Sequence, residues 1–445
     1  MLLAYFGNAV LSAMLLALIL WSLFPDKFII SSVVVIIILV VLQTSVGIDQ
    51  LVSSILSTYG AGSLLIIVSG FIFAAAMDVS GLAKRLALKV VSSLGANPRY
   101  IILSVALANL LIAPLSPSTT AKAVIMLPIC IGLIQALNAK KGSAYAASVI
   151  LMCMAANNIC STAFLTATVP NPISVSYMTG AGLNLSWTDW FVMAFPLTVI
   201  LLIAAWLLVE FMFKIDVKQS KKTLQNILKM KKKIGPMKRE EKIVAILFSI
   251  ALFLWITDKY NPYNAGLISL ILSLFLFLPK LGIFKIKKFG GMLPWDSLFV
   301  FAAAMYLAKV IEQTKALTPV VKLVLDRTGI RLPTTVLLVL IVSSGVLLHV
   351  FFTSTTVYAT VIMPVVIAIA SIYGIPISLL ALPVAFAVPL ALILPVNTIP
   401  NIIFYSTGYF SVKQIVKYGI VLSIISIIVI ILFGIPYWKF IGLIP

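Results

Sequence analysis

Two short polar triplets hold most of the chemistry this chain has to offer. Ser118-Thr119-Thr120 and Ser354-Thr355-Thr356 lie 236 residues apart, and each is followed eight residues on by a proline, Pro128 and Pro364. Each interrupts an apolar stretch, LIAPLSPSTTAKAVIMLPI and HVFFTSTTVYATVIMPVV. A second shared signature trails each of them, Thr168-Val169-Pro170-Asn171 and Thr398-Ile399-Pro400-Asn401. Hydroxyls, amides and backbone groups freed by proline hold ions and small polar molecules. Catalysis needs a positioned acid, base, nucleophile or metal set, and the chain has one histidine, no acidic pair and no HExxH, GxSxG or Walker sequence. An enzyme is therefore not expected.

The triplets need elements that break inside an apolar environment. A hairpin that enters and leaves a membrane on one side must interrupt its helix, and the freed N–H and C=O groups then need side chains, ions or a water-filled cavity. Pro114 and Pro117 enforce such a break before the first triplet, because proline donates no helix hydrogen bond and biases its predecessor away from helix. Ser and Thr then cap the following half-helix, whose N-terminus offers orphan N–H groups and positive dipole to an anion. A carboxylate or sulfate between two such tips needs few formal charges from the protein. The hydroxyl and carbonyl oxygens beside the breaks could instead coordinate a small cation. Pro170, Pro172 and Pro400 predict two further discontinuous helices, with Asn157, Asn158, Ser161, Thr162, Thr166, Thr168, Asn397 and Thr398 supplying polar groups before them.

Composition fixes the class. With 62% hydrophobic residues, 10% charged residues and a mean hydropathy of +1.18, the chain reads as an integral membrane protein. Apolar stretches long enough to cross a bilayer as helices occur at 9–24, 28–46, 60–78, 145–176, 190–213, 242–257, 262–279, 294–310, 376–406 and 414–438. No alternating ten-residue strands appear, which disfavours a barrel. The first stretch lacks a basic leader and a small-residue cleavage site, so it is expected to remain as a span. The predicted fold is an all-α integral membrane protein of about ten transmembrane helices plus two re-entrant hairpins at about 100–135 and 334–370.

The net charge of +20 reads as topology, and no nucleic-acid partner is expected. With the N-terminus outside, and counting Lys122 with the inner loops, 25 of the 32 Lys and Arg fall on the inner side, as the positive-inside rule requires. The densest run, 214–241, reads as a basic cytoplasmic linker in contact with anionic lipid headgroups. It divides residues 1–213 from 242–445. Five crossings per half make the two repeats inverted, an architecture of secondary transporters with the site near the midplane.

The motifs resemble those of the divalent anion/sodium symporter family, the dicarboxylate, citrate and sulfate carriers of the ion transporter superfamily. The family's Ser-Asn-Thr triplet in each hairpin is matched by the two triplets, FTSTT at 352–356 most closely. LPVNTIPN at 394–401 resembles the family's second-half segment, and FLTATVPNP at 164–172 resembles the first-half segment of the citrate and tartrate exchanger branch. The resemblance implies a homodimer in the plasma membrane that carries an anionic substrate by an elevator motion. It implies that Ser118, Thr120, Ser354 and Thr356 contact substrate carboxylates, with Thr119, Thr355, Thr168, Pro170, Thr398 and Pro400 completing the substrate site. It also implies that Ser118, Thr119, Thr353, Thr355 and Asn397 lie near two sites for Na+ as coupling ion. The chain departs from the family where threonine replaces the triplet's asparagine, which leaves sodium symport, proton coupling and anion exchange as expected modes. It also shows no counterpart of the family's extra first helix, so both termini are expected outside.

Lys122 is the only charge in either hairpin core. An intramembrane charge is a functional suspect; the exchanger branch often carries arginine there. Lys122 therefore either complements the anion, replaces a coupling cation, or snorkels along the hairpin to the cytoplasm. His349 is read as a satisfied helix histidine that could titrate during transport. Asp78, Glu210 and Asp296 are read as solvated span ends, with a proton relay open to Asp78 alone. The three cysteines are read as reduced and buried, and Trp187, Trp190, Tyr437 and Trp438 as an interfacial belt. A divalent organic anion, a C4-dicarboxylate or citrate, is the favoured substrate because two opposed tips suit two separated negative ends. Sulfate, an arsenite or sodium/proton antiporter and a channel remain the alternatives.

Overall fold

In a computed structural model of the chain, the described residues are 2–24, 27–43, 48–59, 62–95, 97–217, 225–226, 229, 232, 235–260, 265–279, 282–284, 290–291, 293, 295–328 and 332–445. Every regular element among them is helical. Six helices are long and apolar enough to cross a membrane: Pro98–Leu115, Thr119–Ala136, Trp187–Met212, Thr334–Phe351, Thr355–Tyr373 and Val412–Phe440. A seventh is added if Leu64–Ser80 and Leu82–Ser93, which meet at 70°, form one span. The fold is that of an all-α membrane protein. Much of the basic linker at 214–241, and parts of the loops at 25–27 and 280–291, lie outside the described residues.

Helices α1 (Leu2–Leu23), α2 (Phe28–Gln43), α3 (Ile48–Tyr59) and α4 (Gly62–Ser80) lead to α5 (Leu82–Ser93). Gly81, at φ 83, makes the sharp corner between α4 and α5, a backbone region that glycine enters without a Cβ penalty. Two helix–turn–helix units follow one plan. In the first, α6 (Pro98–Ile112) ends in a 3₁₀ turn at Ala113–Leu115 and α7 (Thr119–Ala136) starts afresh; in the second, α15 (Thr334–Leu347), a turn at Leu348–Phe351 and α16 (Thr355–Tyr373) do the same. Pro114 and Pro117 stop the first helix. The second turn has no proline and is held instead by Asn397, whose Nδ2 donates to the carbonyls of His349 at 2.8 Å and Phe352 at 3.2 Å.

The two stretches expected to be discontinuous are each broken. Helix α8 (Ala144–Ile159) is separated from α9 (Pro170–Gly180) by a turn at Leu165–Ala167, and α17 (Ile377–Ala387) from α18 (Ile399–Ser406) by a turn at Pro395–Asn397. The asparagine of each second signature ties its break together in the same way. Asn171 Nδ2 donates to the carbonyls of Ser161 and Phe164, at 2.8 and 2.9 Å. Asn401 Nδ2 donates to those of Ala391 and Leu394, at 2.8 and 3.2 Å. In both cases the acceptors lie ten and seven residues upstream. Buried carbonyls without such partners cost about 1–3 kcal/mol each, so each asparagine is what lets its break be buried.

The breaks meet each other. Asn158 Nδ2 donates to Asn401 Oδ1 at 3.0 Å and to the Ala391 carbonyl at 3.2 Å. Of the other helices, α10 (Trp187–Met212) packs on α8 and α13 (Trp295–Thr314) on α9, α19 (Val412–Val429) packs on α10 and leads into α20 (Ile435–Phe440), α11 (Arg239–Ile256) and α12 (Ala265–Leu274) pack on α4, and α14 (Leu317–Thr328) packs on α16. Gly419 of α19 lies so close to the second break that a Cβ there would sit 2.2 Å from the Leu392 carbonyl oxygen.

The expected aromatic belt is overturned in part. Trp187, Trp190 and Trp438 are buried within the protein. Their indoles serve as internal ties, Trp190 Nε1 donating to the Thr162 carbonyl and Trp438 Nε1 to that of Met193, both at 2.9 Å. A buried indole N–H needs such a partner, and these find one at the α8–α9 break and on α10. The three cysteines are buried and unpaired, as expected.

Candidate functional site

The site begins with caps. Ser118 and Ser354 are in extended backbone, and each side chain accepts from the N–H three residues on, Ala121 at 3.2 Å and Val357 at 3.4 Å. The threonines that follow therefore occupy the first turn of α7 and α16, where backbone N–H groups have no intrahelical acceptor. Thr398 caps α18 by accepting from Asn401 N at 3.2 Å. Thr168 and Val169 stand at the start of α9.

These four helix starts converge on one cavity of about 530 Å³. Ser118, Thr119 and Thr120 wall it from one hairpin, and Thr353, Ser354, Thr355 and Thr356 from the other. Thr168, Thr398 and Pro400 close it from the broken helices. No charged side chain lines it among the described residues. What it offers an anion is hydroxyls, free N–H groups and four positive dipole ends, each equivalent to roughly half a charge.

Three expected site residues are absent from these walls. Pro170 is buried and turns its carbonyl to the Ser174 hydroxyl, at 2.9 Å. Asn397 is spent on the hairpin turn and on accepting from Leu394 N at 2.8 Å. Lys122 lies behind the first tip at 1% exposure, its Nζ donating to Ser161 Oγ at 3.0 Å and to the Ala167 carbonyl at 2.8 Å. It does not snorkel to a surface, because the α8–α9 break offers nearer oxygens. Asn157 stands beside it, donating to the Thr119 carbonyl at 3.1 Å while its buried Oδ1 has no partner among the described residues.

His349 is buried too, its ring 5.0 Å from that of Tyr358, and neither ring nitrogen has a partner among the described residues. The reading of a satisfied histidine is corrected here: the backbone of His349, rather than its ring, carries the bonding. Sequence reasoning missed Phe28, Ser297 and Val300, which complete the cavity wall from α2 and α13. They belong to unbroken apolar helices and carry no motif.

Comparison with known proteins follows the same lines. The family model for the sodium:sulfate symporter transmembrane region matches residues 3–444. The chain belongs to this family. It is a multi-pass membrane transporter and not an enzyme. Among its relatives, a sodium-dependent dicarboxylate transporter, SdcS, of Staphylococcus saprophyticus is 30% identical over 408 residues, covering 84% of this chain and 76% of the relative. The protein of the same name in Staphylococcus aureus strain USA300 is 29% identical over 401 residues, covering 84% and 76%. A membrane protein of Cupriavidus necator is 24% identical over 404 residues, covering 89% and 78%.

Two solved structures share this symporter-family member's fold. The YdaH transporter of Alcanivorax borkumensis superimposes with a TM-score of 0.55 at 14% identity, covering 90% of both chains. MtrF of Neisseria gonorrhoeae, described as one of a class of antimetabolite efflux pumps, superimposes with a TM-score of 0.52 at 10% identity, covering 89% of this chain and 85% of its own.

Proposed function

We propose that this protein is a secondary transporter of small dianions of the C4-dicarboxylate class, with citrate and sulfate as the next candidates. The observation that carries the reading is the convergence of four helix starts, three of them capped by a hydroxyl, on a cavity with no charged wall among the described residues. Two opposed tips suit a molecule with two separated negative ends, and the relatives named as dicarboxylate transporters support the same class. In this reading Ser118, Thr120, Ser354 and Thr356 hold the carboxylates, and Ser118, Thr119, Thr353 and Thr355 supply oxygens to sodium. The two hairpins and two broken helices form one body, bridged by Asn158 and Asn401, that moves as an elevator against the other helices. Inverted repeats at 1–213 and 242–445, a cytoplasmic linker at 214–241 and a homodimer belong to the same reading.

Uptake of radiolabelled succinate into proteoliposomes, with and without internal succinate and under imposed sodium or proton gradients, tests it. Sodium-driven uptake is the expected outcome for symport. Inactivity with succinate, citrate and sulfate alike overturns the reading.

One observation favours anion exchange as a second reading. A buried ammonium group held by a hydroxyl and a helix-break carbonyl occupies the kind of oxygen-lined seat that a coupling cation takes at a discontinuous helix. Lys122 as a tethered cation would stand in for one sodium, and uptake would then require internal substrate.

A further inference from the structure

The tip cavity has a counterpart on the same three helices. A second cavity, about 620 Å³, lies among α9, α13, α16 and the start of α14 and α17. On each of the three shared helices eight residues separate the nearest positions lining the two cavities: Val169 from Tyr177, Val300 from Ala308, and Thr356 from Pro364. At 1.5 Å per residue that is about 12 Å. Between them lies a packed plug in which Tyr177 donates its hydroxyl to the Thr360 carbonyl, at 3.2 Å. The second cavity opens at the end of the bundle remote from the linker. The linker meets α5 and the start of α11 through Arg85. The far end of α11 meets Trp187 and Asp189, and Gly180, seven residues before Trp187, packs against Glu312.

The two cavities differ in charge. The tip cavity has no charged wall among the described residues, whereas the second is rimmed by Lys315, Lys322 and Glu312. Uncharged dipoles can hold a desolvated anion, but they fall off within the first turn of a helix. Drawing a dianion in from solution needs formal charge acting over a Debye length, about 8–10 Å. Lys315 is also one of only two non-glycine residues with positive φ among the described residues, at 48°. A corner that glycine or asparagine takes most easily holds a lysine at the mouth of the cavity, a costly choice of the kind that clusters at functional sites.

We infer that this second cavity is a capture subsite for the substrate dianion on the face opposite the linker, with Lys315 and Lys322 drawing it toward the plug. The inference rests on the transporter reading above. Glu312 opposes them and leaves the rim one net positive charge. The subsite acts on encounter, not on the carrying step, because its lysines belong to α14 and the α13–α14 corner and not to the tips.

Uptake of radiolabelled succinate by right-side-out and inverted vesicles, at low and at physiological ionic strength, tests this. K315Q combined with K322Q is expected to raise the KM for succinate presented at the face opposite the linker about fivefold at low ionic strength, with kcat unchanged and the effect shrinking in salt. The KM from the linker face stays as it was, E312Q lowers the KM at the opposite face, and the K315R/K322R pair keeps the wild-type value. A KM that is unchanged at the opposite face, or that rises equally from both faces, overturns the inference while leaving the transporter reading intact. A wild-type protein that moves none of succinate, citrate and sulfate overturns both.

Discussion

Lys122 shows what a single residue can and cannot reveal in sequence. Its rarity was legible: it is the one charge in either hairpin core. Its destination was not, because one of its two acceptors is the backbone carbonyl of Ala167, which any residue at that position would supply. Lys122→Gln removes the charge and leaves the Ser161 hydroxyl and the Ala167 carbonyl facing an emptied seat. If the ammonium replaces a coupling cation, succinate uptake by this variant acquires or steepens a dependence on external sodium, measured by titrating sodium against initial rate. Unchanged transport with unchanged cation dependence would exclude any functional role for Lys122. Asn397 carries the complementary lesson. The family resemblance implies only that it lies near a sodium site, and nothing in the sequence signals that its amide also holds the hairpin turn that has no proline of its own.

At the scale of elements, prolines and caps made the breaks legible: Pro114 and Pro117 before one tip, and Ser118, Ser354 and Thr398 as caps. Close approaches between elements were not, since a glycine in an apolar helix looks alike whether it faces lipid or backbone. Gly419 and Gly345 separate the two cases. A methyl group at Gly419 meets the Leu392 carbonyl oxygen at 2.2 Å, whereas one at Gly345 meets the Val384 and Ala387 side chains at 3.4–3.5 Å. Gly419→Ala is expected to destabilise the protein by about 1–3 kcal/mol through forced backbone movement. Gly345→Ala should be near neutral, gaining about as much helix propensity as it loses in crowding. Thermal unfolding in detergent distinguishes them; equal midpoints would mean that α19 does not press on the second break.

Over the whole molecule, the fold class and the order of broken elements were legible from composition and from the repeated motifs. The clamps at the two ends of α11 were not, because each joins residues far apart in sequence. Arg85 grips Glu241 through two nitrogens, at 2.7 and 2.8 Å, and also donates to the carbonyls of Gly235 and Pro236. Lys259 pairs with Asp189 at 2.5 Å, but its side chain is 50% exposed where that of Glu241 is 3% exposed. Arg85→Ala, which leaves the Glu241 carboxylate with the Lys238 N–H as its remaining partner among the described residues, is expected to cost about 1–3 kcal/mol. Lys259→Ala should cost about 1 kcal/mol or less, and comparing unfolding midpoints of the two variants checks the order. The tether at Lys122 has an electrical consequence as well. In the exchange reading proposed above, a protonated Lys122 is not released on delivery, so a protein returning empty would carry its charge through the membrane potential, worth about 2.3 kcal/mol per 100 mV for a full crossing. Loaded with a dianion it carries the opposite sign. Voltage then speeds one half of the cycle and slows the other, and only a protein that travels loaded in both directions is electrically silent.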